Sequence, residues 1–365
     1  MPTPSVDIIV PVWNSPFETR ACLAAILEHS PGARLIIVDN GSSRETGLML
    51  EEFSESLGDR ALFISSDRNV GLVPAINIAL SRSDSDYAVI VRPHVMVSAG
   101  WLEALLAAAL TPRAGIVSPL FHGPGAPGMP AMTRGCTLIE TFYVSFSTLL
   151  IRGDLHMLLG GFTEGMDSGE WCLKEYVRRA LARGYHTLAT AKISLACGQE
   201  TAFGSEQRRR ETTAESKRLF QAQWGHQHEY AVYFDVESTP EVLEGALEVI
   251  LAGARRGHRF TLLMHRSQAA ECKRRGWNGL HTGIIVDQLP LLMPRRALTR
   301  RIAEIRTTAP ESILVRGSEG YGFPGIDGVP ALTDLAPAFT TGIPAELTPE
   351  LEACTDDFRN SFTAG

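Results

Sequence analysis

Four short polar runs follow apolar stretches early in the chain: Trp13-Asn14, Asp39-Asn40-Gly41-Ser42-Ser43, Asn69-Val70-Gly71 and Arg92-Pro93-His94. A carboxylate such as Asp39 in a polar turn either caps the next helix with its own oxygen or receives a hydrogen bond from a ligand. Further on, Asp167 and Glu170 stand at the start of a helical stretch, Gly169 to Arg183. The positive end of a helix dipole favours their ionised forms there, so each either stabilises the helix or serves as a proton acceptor. His226 and His228 would share one face of an extended segment, as a metal-binding pair does. No further ligand stands near them, and a place in a connecting segment suits them better. His122 opens a Gly/Pro-rich loop running to Pro130, and only geometry decides whether it reaches a site. The sequence has no GxSxG, no Walker A and no GxGxxG followed by an acidic partner. Hydrolase, NTPase and dinucleotide oxidoreductase chemistry therefore lack support.

The elements that must position these residues alternate. Val6 to Val12 is a nearly unbroken apolar run, which demands cover on both faces, as in a parallel sheet. Helical spacing follows over Phe17 to His29, then a strand over Arg34 to Val38 and a helix over Arg44 to Leu57. A strand at Ala61 to Ser65, a helix at Val73 to Ser81 and a strand at Tyr87 to Val91 complete a β-α-β-α-β-α-β order, which predicts a doubly wound, Rossmann-like sheet. Ligands of such sheets lie beyond the carboxyl ends of the strands, so the loops after Val12, Val38, Ser65 and Val91 converge on one crevice. Thr141 to Arg152 reads as an apolar strand region, and Gly184 to Ala189 and Ile193 to Cys197 as two short strands. Residues 205–228, with Arg208-Arg209-Arg210, read as a solvated helical linker. A second, smaller α/β unit over 229–365 repeats the strand-helix alternation, and its tail after Gly317 is expected to wrap the surface.

The chain has 365 residues, room for two cores. Hydrophobic residues are 44% and charged residues 21%, with a formal net charge of -7, so no global field for nucleic acid exists. The six cysteines are scattered without a CxxC pair, which argues for reduced thiols in a cytoplasmic protein. There is no signal peptide at the start of this sequence and no run long enough to span a membrane.

Five segments together carry a resemblance. Val6-Asp7-Ile8-Ile9-Val10-Pro11-Val12-Trp13-Asn14 resembles the first strand of family 2 glycosyltransferases. Leu35 to Ser43, then Asn69-Val70-Gly71-Leu72 with Ala75-Ile76-Asn77, are similar to the next two. Val97-Ser98-Ala99-Gly100-Trp101-Leu102 resembles the segment after the family's metal motif, and Gly160-Gly161-Phe162-Thr163-Glu164 the turn before its acceptor-side helix. The resemblance covers about residues 5 to 200 and implies a GT-A fold over 1–204. It implies an inverting transfer from a nucleoside-diphosphate sugar, of uridine or deoxythymidine, to a glycan or lipid-linked acceptor in polysaccharide biosynthesis. Peripheral membrane association is compatible with that reading. Pro11, Val12 and Asn14 would then line the nucleotide slot, Asp39 would accept a hydrogen bond from the base, and Asn69 and Gly71 would let the backbone approach closely.

The pattern departs from the family at two places. Where the family has Asp-x-Asp, or a lone Asp, to hold a divalent cation on the diphosphate, this chain has Arg92-Pro93-His94. Three readings stand open. His94 ligates a metal, with Mn²⁺ suiting imidazole better than Mg²⁺; Arg92 neutralises the diphosphate directly; or the domain has kept the fold and lost catalysis, serving as a nucleotide-, glycan- or partner-binding module. The lost carboxylates argue against a divalent cofactor. On the acceptor side, the family's acidic pair falls on Asp167-Ser168-Gly169-Glu170-Trp171, where Glu170 aligns best as general base and Asp167 is the second candidate.

Overall fold

In a computed structural model, residues 4–130, 132–167, 169–200, 205–318, 323 and 326–340 are described. Two compact units emerge, one from residues 1–129 with 143–224 and the other from 130–142 with 225 onward.

The first unit begins with β1 (Val6–Val12), α1 (Pro16–His29), β2 (Arg34–Asn40), α2 (Arg44–Leu57), β3 (Ala61–Ser66), α3 (Leu72–Leu80) and β4 (Tyr87–Val91). After β5 (Val95–Met96), α4 (Trp101–Ala109) and β6 (Ala114–His122), the chain makes β7 (Leu138–Glu140) in the second unit. It returns as β8 (Thr148–Arg152), α5 (Gly153–Leu159), α6 (Glu170–Ala182), β9 (His186–Cys197) and α7 (Glu206–Trp224). Strands β3, β2, β1 and β4 are neighbours in that order and parallel. Beyond β4 the order continues β8-β6-β9-β5, and β8 is antiparallel to both neighbours. All seven residues of β1 are buried, as its unbroken apolar run requires. The exception in type is Asp7, fully buried in that strand, whose carboxylate takes two 2.7 Å hydrogen bonds from Arg34 at the head of β2. Burial raises the Asp7 pKa, but the bond from Arg34, with those from Ser83 and Ser85, more than reverses it, and the net shift is downward.

Three expectations about this part of the chain needed correction. The apolar stretch 141–152 forms a strand only from Thr148; residues up to Phe142 fold with the second unit instead. There Glu140 makes a bidentate pair with Arg255, both bonds 2.6 Å, and its amide bonds Leu280 O. The two short strands near 184–197 are one strand, β9, whose register against β6 shifts between Pro119 and Leu120. The polar helix α7 is not solvated all round: Ser216 and Phe220 are buried, and the Phe220 ring lies 5.4 Å from that of Trp171 on α6.

The second unit continues with β10 (Glu229–Tyr233), α8 (Pro240–Arg255), β11 (Arg259–Met264), α9 (Arg266–Arg274), β12 (Ile284–Gln288), α10 (Pro294–Thr308), β13 (Ile313–Arg316) and α11 (Leu332–Thr340). Its strands lie in the order β12-β11-β10-β13, all parallel. Instead of a wrapping tail, residues 332–340 form α11, which buries Leu332 and Phe339 in the same core as Leu243 and Leu247 of α8. Residues 319–322, 324–325 and 341–365 of that tail lie outside the described residues, as does Ser168. No helix among the described residues is long and apolar enough to cross a membrane.

Candidate active site

The carboxyl ends of β1 to β4 open into a cleft of about 720 Å³. Its walls gather Pro11 to Ser15 at and beyond the end of β1, Asn40 at the end of β2, Asn69, Gly71 and Leu72 leading into α3, and Arg92, Pro93 and His94 after β4. Glu18, Met166, Asp167, Gln199, Glu200, Arg209 and Thr212 complete it.

One side is shaped by amide side chains that bond backbone. Asn40 Nδ2 donates to Asn69 Oδ1 and to Gly71 O, both at 3.1 Å, while its Oδ1 accepts from the Val70 amide at 2.9 Å. Asn69 Oδ1 also accepts from the Gly71 amide. Asn14 is left-handed, φ 57°, a conformation that favours Asn among L residues; its Oδ1 accepts from the Ser43 amide and its own amide donates to Ser42 Oγ. Gly41 has φ +69°, and a Cβ there would stand 2.2 Å from the Arg68 carbonyl carbon, so the crossing of the two loops admits no side chain. Asp39 is buried beside Asn40. Its Oδ1 accepts from the Ser42 amide at 2.9 Å, which is the turn-forming geometry, and it is not among the cleft residues.

The other side is built from charge. The loop after β4 is pinned by its backbone: Arg92 N–H donates to Ser147 O, Val95 N–H to Arg92 O and Gly198 N–H to His94 O. Arg92 thereby presents its guanidinium to Glu200, which it binds through both terminal nitrogens, one of them at 2.7 Å. Its Nε is buried with no acceptor among the described residues. His94 Nε2 lies 3.2 Å from Ser147 Oγ. Burial, then the nearby Arg92 charge, lower the His94 pKa against the opposing pull of Glu200, so the ring is neutral at pH 7.

Of the two candidate bases, Asp167 lines the cleft and Glu170 does not. Asp167 Oδ1 accepts from the Trp171 and Cys172 amides, each 3.0 Å away, and so caps the first turn of α6. Its own amide donates to Ser216 Oγ of α7. Burial raises the Asp167 pKa, and the capping amides offset it only in part. The Glu170 side chain is 55% exposed and pairs with Lys174 at 2.6 Å. The Gly160-Gly161-Phe162 turn before α6 is clipped to α3: Asn77 donates to Phe162 O and Glu164 Oε1 and accepts from the Phe162 amide. A Cβ on Gly161 would meet Asn77 Oδ1 at 2.5 Å.

The described residues contain no group of three His, Cys, Asp or Glu able to hold a metal ion. At the position of the family's metal carboxylates stands a guanidinium already paired with a carboxylate, so these residues do not fit a divalent cation. His122 bonds Ser194 Oγ at 3.0 Å and is not a cleft residue. His228 stacks on His258, with ring centroids 5.9 Å apart. Sequence reasoning missed Glu18, Met166, Gln199, Glu200, Arg209 and Thr212. The position of Glu200 three residues beyond the end of β9 was the available signal; the exposed Arg208-Arg209-Arg210 run hid the one arginine that faces the cleft.

Residues 7–153 match the family described as Glycosyl transferase family 2. A search of curated proteins finds no match. Among solved structures, the chain is similar to S. aureus TarS 1-349 in complex with UDP-GlcNAc, with 15% identity, a TM-score of 0.50, and 60% of this chain and 66% of that one covered. A mannosyltransferase, PcManGT from Pyrobaculum calidifontis in complex with GDP-Man and Mn²⁺, aligns at 16% identity and TM-score 0.48 over 84% of this chain and 82% of that one. GalNAc-T7 with UDP, GalNAc and Mn²⁺ gives 13% and 0.49, covering 60% of this chain and 50% of that one. With a parallel β-α sheet leading into a mixed one, a cleft across its strand ends and that match at 7–153, the N-terminal unit has the GT-A fold and is similar over those residues to glycosyltransferase family 2.

Proposed function

We propose that the N-terminal unit transfers a glycosyl group from a nucleoside-diphosphate sugar to an acceptor hydroxyl, with inversion and with Arg92 where relatives place a metal. The observation that carries this reading is the arrangement of Arg92: a cleft guanidinium whose Nε–H has no acceptor among the described residues and whose terminal nitrogens pair with the half-exposed carboxylate of Glu200. A diphosphate oxygen would satisfy that donor and take over the bidentate site. Pro11, Val12, Asn14, Asn69 and Gly71 would bed the nucleoside. Asp39, with Oδ1 held by Ser42, would offer Oδ2 to the base N–H. Asp167 would accept the proton of the acceptor hydroxyl as its oxygen attacks the anomeric carbon. The bond to the diphosphate breaks with its electron pair, and Arg92 meets the developing charge. TarS 1-349 binds UDP-GlcNAc, which supports a UDP-sugar as the first donor to try.

A thermal-shift panel of nucleoside-diphosphate sugars, with and without Mn²⁺ and with EDTA, tests the reading. We expect stabilisation by one donor, unchanged by chelation, and release of nucleoside diphosphate when acceptor glycans are added. Binding that requires Mn²⁺ and is lost in His94→Ala would replace Arg92 by a metal. The second reading, a non-catalytic binding module, is favoured by the missing Asp-x-Asp. Stabilisation without turnover over a broad acceptor panel would establish it.

A further inference from the structure

The second unit ends its β12–α10 connection in a hydrophobic tip. Leu291, Leu292 and Met293 are consecutive and 72%, 81% and 65% exposed. The core on that side uses Leu289 before the tip and Leu298 and Ile302 after it, with Tyr233, Leu263 and Phe323, and leaves these three out. The tip is held in place: Met293 is left-handed, φ 55°, and Pro294 opens α10 behind it. Scattered exposed apolar residues need no explanation, but three adjacent ones on a stiffened turn do.

The charges beside the tip point the same way. Arg295 and Arg296 occupy the first turn of α10, and Arg300 the next, all exposed. Cations at a helix N-terminus oppose the helix dipole, so the helix gains nothing from them there. Among the described residues no carboxylate pairs with Arg295 or Arg296, and Arg300 reaches only Glu304, at 3.5 Å. An apolar tip flanked by Arg295 and Arg296, which no described carboxylate pairs, is the surface that an anionic lipid bilayer complements: the apolar side chains enter the headgroup–acyl boundary and the arginines meet phosphates. A symmetric pairing of two copies through the tip would instead bring like charges together.

We propose that the C-terminal unit docks this chain on an anionic membrane surface through Leu291, Leu292 and Met293, with Arg295, Arg296 and Arg300 on the lipid phosphates. The inference is independent of the reading of the cleft. The test is co-sedimentation of the full chain with vesicles of phosphatidylcholine, alone or with about a third phosphatidylglycerol. We expect binding to the anionic vesicles only, weakening as salt is raised. Each arginine removed should cost about fivefold in partitioning, so Arg295→Gln/Arg296→Gln together cost about 25-fold. Leu291→Ser/Leu292→Ser should lose at least about tenfold. Thermal unfolding of both variants should match the parent, since neither pair lies in the core. Asp167→Asn should bind vesicles unchanged, which separates this surface from the cleft. Equal binding to both vesicle types, no binding to either, or wild-type binding by the variants would overturn the proposal. A concentration-dependent dimer in sedimentation velocity that disappears in Leu291→Ser/Leu292→Ser would overturn it in favour of a second copy of the chain.

Discussion

The two sides of the cleft are built by different means. On one, Asn14, Asn40 and Asn69 spend their amides on backbone groups of neighbouring loops, and Gly41 lets those loops cross at contact distance. Such a wall has one shape and no net charge. On the other, Arg92 with His94, Glu200 and Asp167 come from three separate segments, and burial shifts the titration of His94 and of Asp167. The first side is a mould; the second is a set of electrostatic balances that a ligand can tip. Damage to the first should therefore appear as lost stability, and damage to the second as altered binding, rate and pH response.

The sharpest test of that division is Asp167→Asn. Asparagine keeps an oxygen for the Trp171 and Cys172 amides, so the cap of α6 survives, while the proton acceptor is lost. Turnover should fall about 10²–10⁴-fold. Stability should not fall with it. The Asp167 pKa is raised in the folded state, so its contribution is fully present below the unfolded pKa and is lost as pH rises through the folded one. At neutral pH the asparagine variant should thus melt no lower than the parent. Glu170→Gln, at an exposed carboxylate paired with Lys174, should leave turnover within about twofold. A large loss in Glu170→Gln with none in Asp167→Asn would reverse the assignment.

Arg92→Ala should weaken donor binding or turnover about 10²–10³-fold, the range for removing one donor to a developing anion. If instead both survive and Mn²⁺ becomes essential, the charge balance on this side has been misread. On the mould side, Asn40→Ala removes a side chain that is 5% exposed and leaves the Val70 amide and the Gly71 carbonyl without it. The cost should be about 1–3 kcal/mol, measured as a lower melting temperature, with a smaller change in kcat.

How much of this was legible follows the same division. The strands β1 to β4, their helices and the loops Trp13-Asn14 and Asn69-Gly71 are written in contiguous stretches, where apolar runs and polar turns alternate at the spacing the sheet demands. The roles of Asn40 and Gly41 were hidden although the residues were in view, because their partners Arg68, Asn69 and Val70 lie about thirty residues on. The charged side depends on longer separations: Arg92 with Glu200, and Asp167 with Ser216. No local period reports such a pair. Alignment to a family favoured Glu170 because it stands first in the helix, whereas burial is decided by α7 packing over Asp167. The excursion of residues 130–142 into the second unit was likewise invisible, since an apolar strand reads the same whichever core it joins.

The smallest expected effects come from tipping the balances gently. Glu200→Gln removes the carboxylate that now holds Arg92, without removing the guanidinium. The pair is partly solvent-screened, with Glu200 45% exposed, so its release should be worth no more than about 1 kcal/mol, or roughly fivefold tighter nucleoside-diphosphate binding. Acid should then protonate both ligand-facing groups, with opposite consequences for binding and for turnover. His94 has a lowered pKa and is neutral near pH 7; as pH falls through it, a positive charge appears beside Arg92 and donor affinity should rise. Asp167 has a raised pKa; as pH falls through it, the proton acceptor is lost and turnover should fall. A titration of KM and kcat on the acidic side should therefore show both decreasing together, with the KM change absent in His94→Gln and the kcat change retained. If KM instead rises with acid in the parent, His94 is not beside the diphosphate. The charged side of the cleft would then have to be reassigned while the amide-built side stood unchanged.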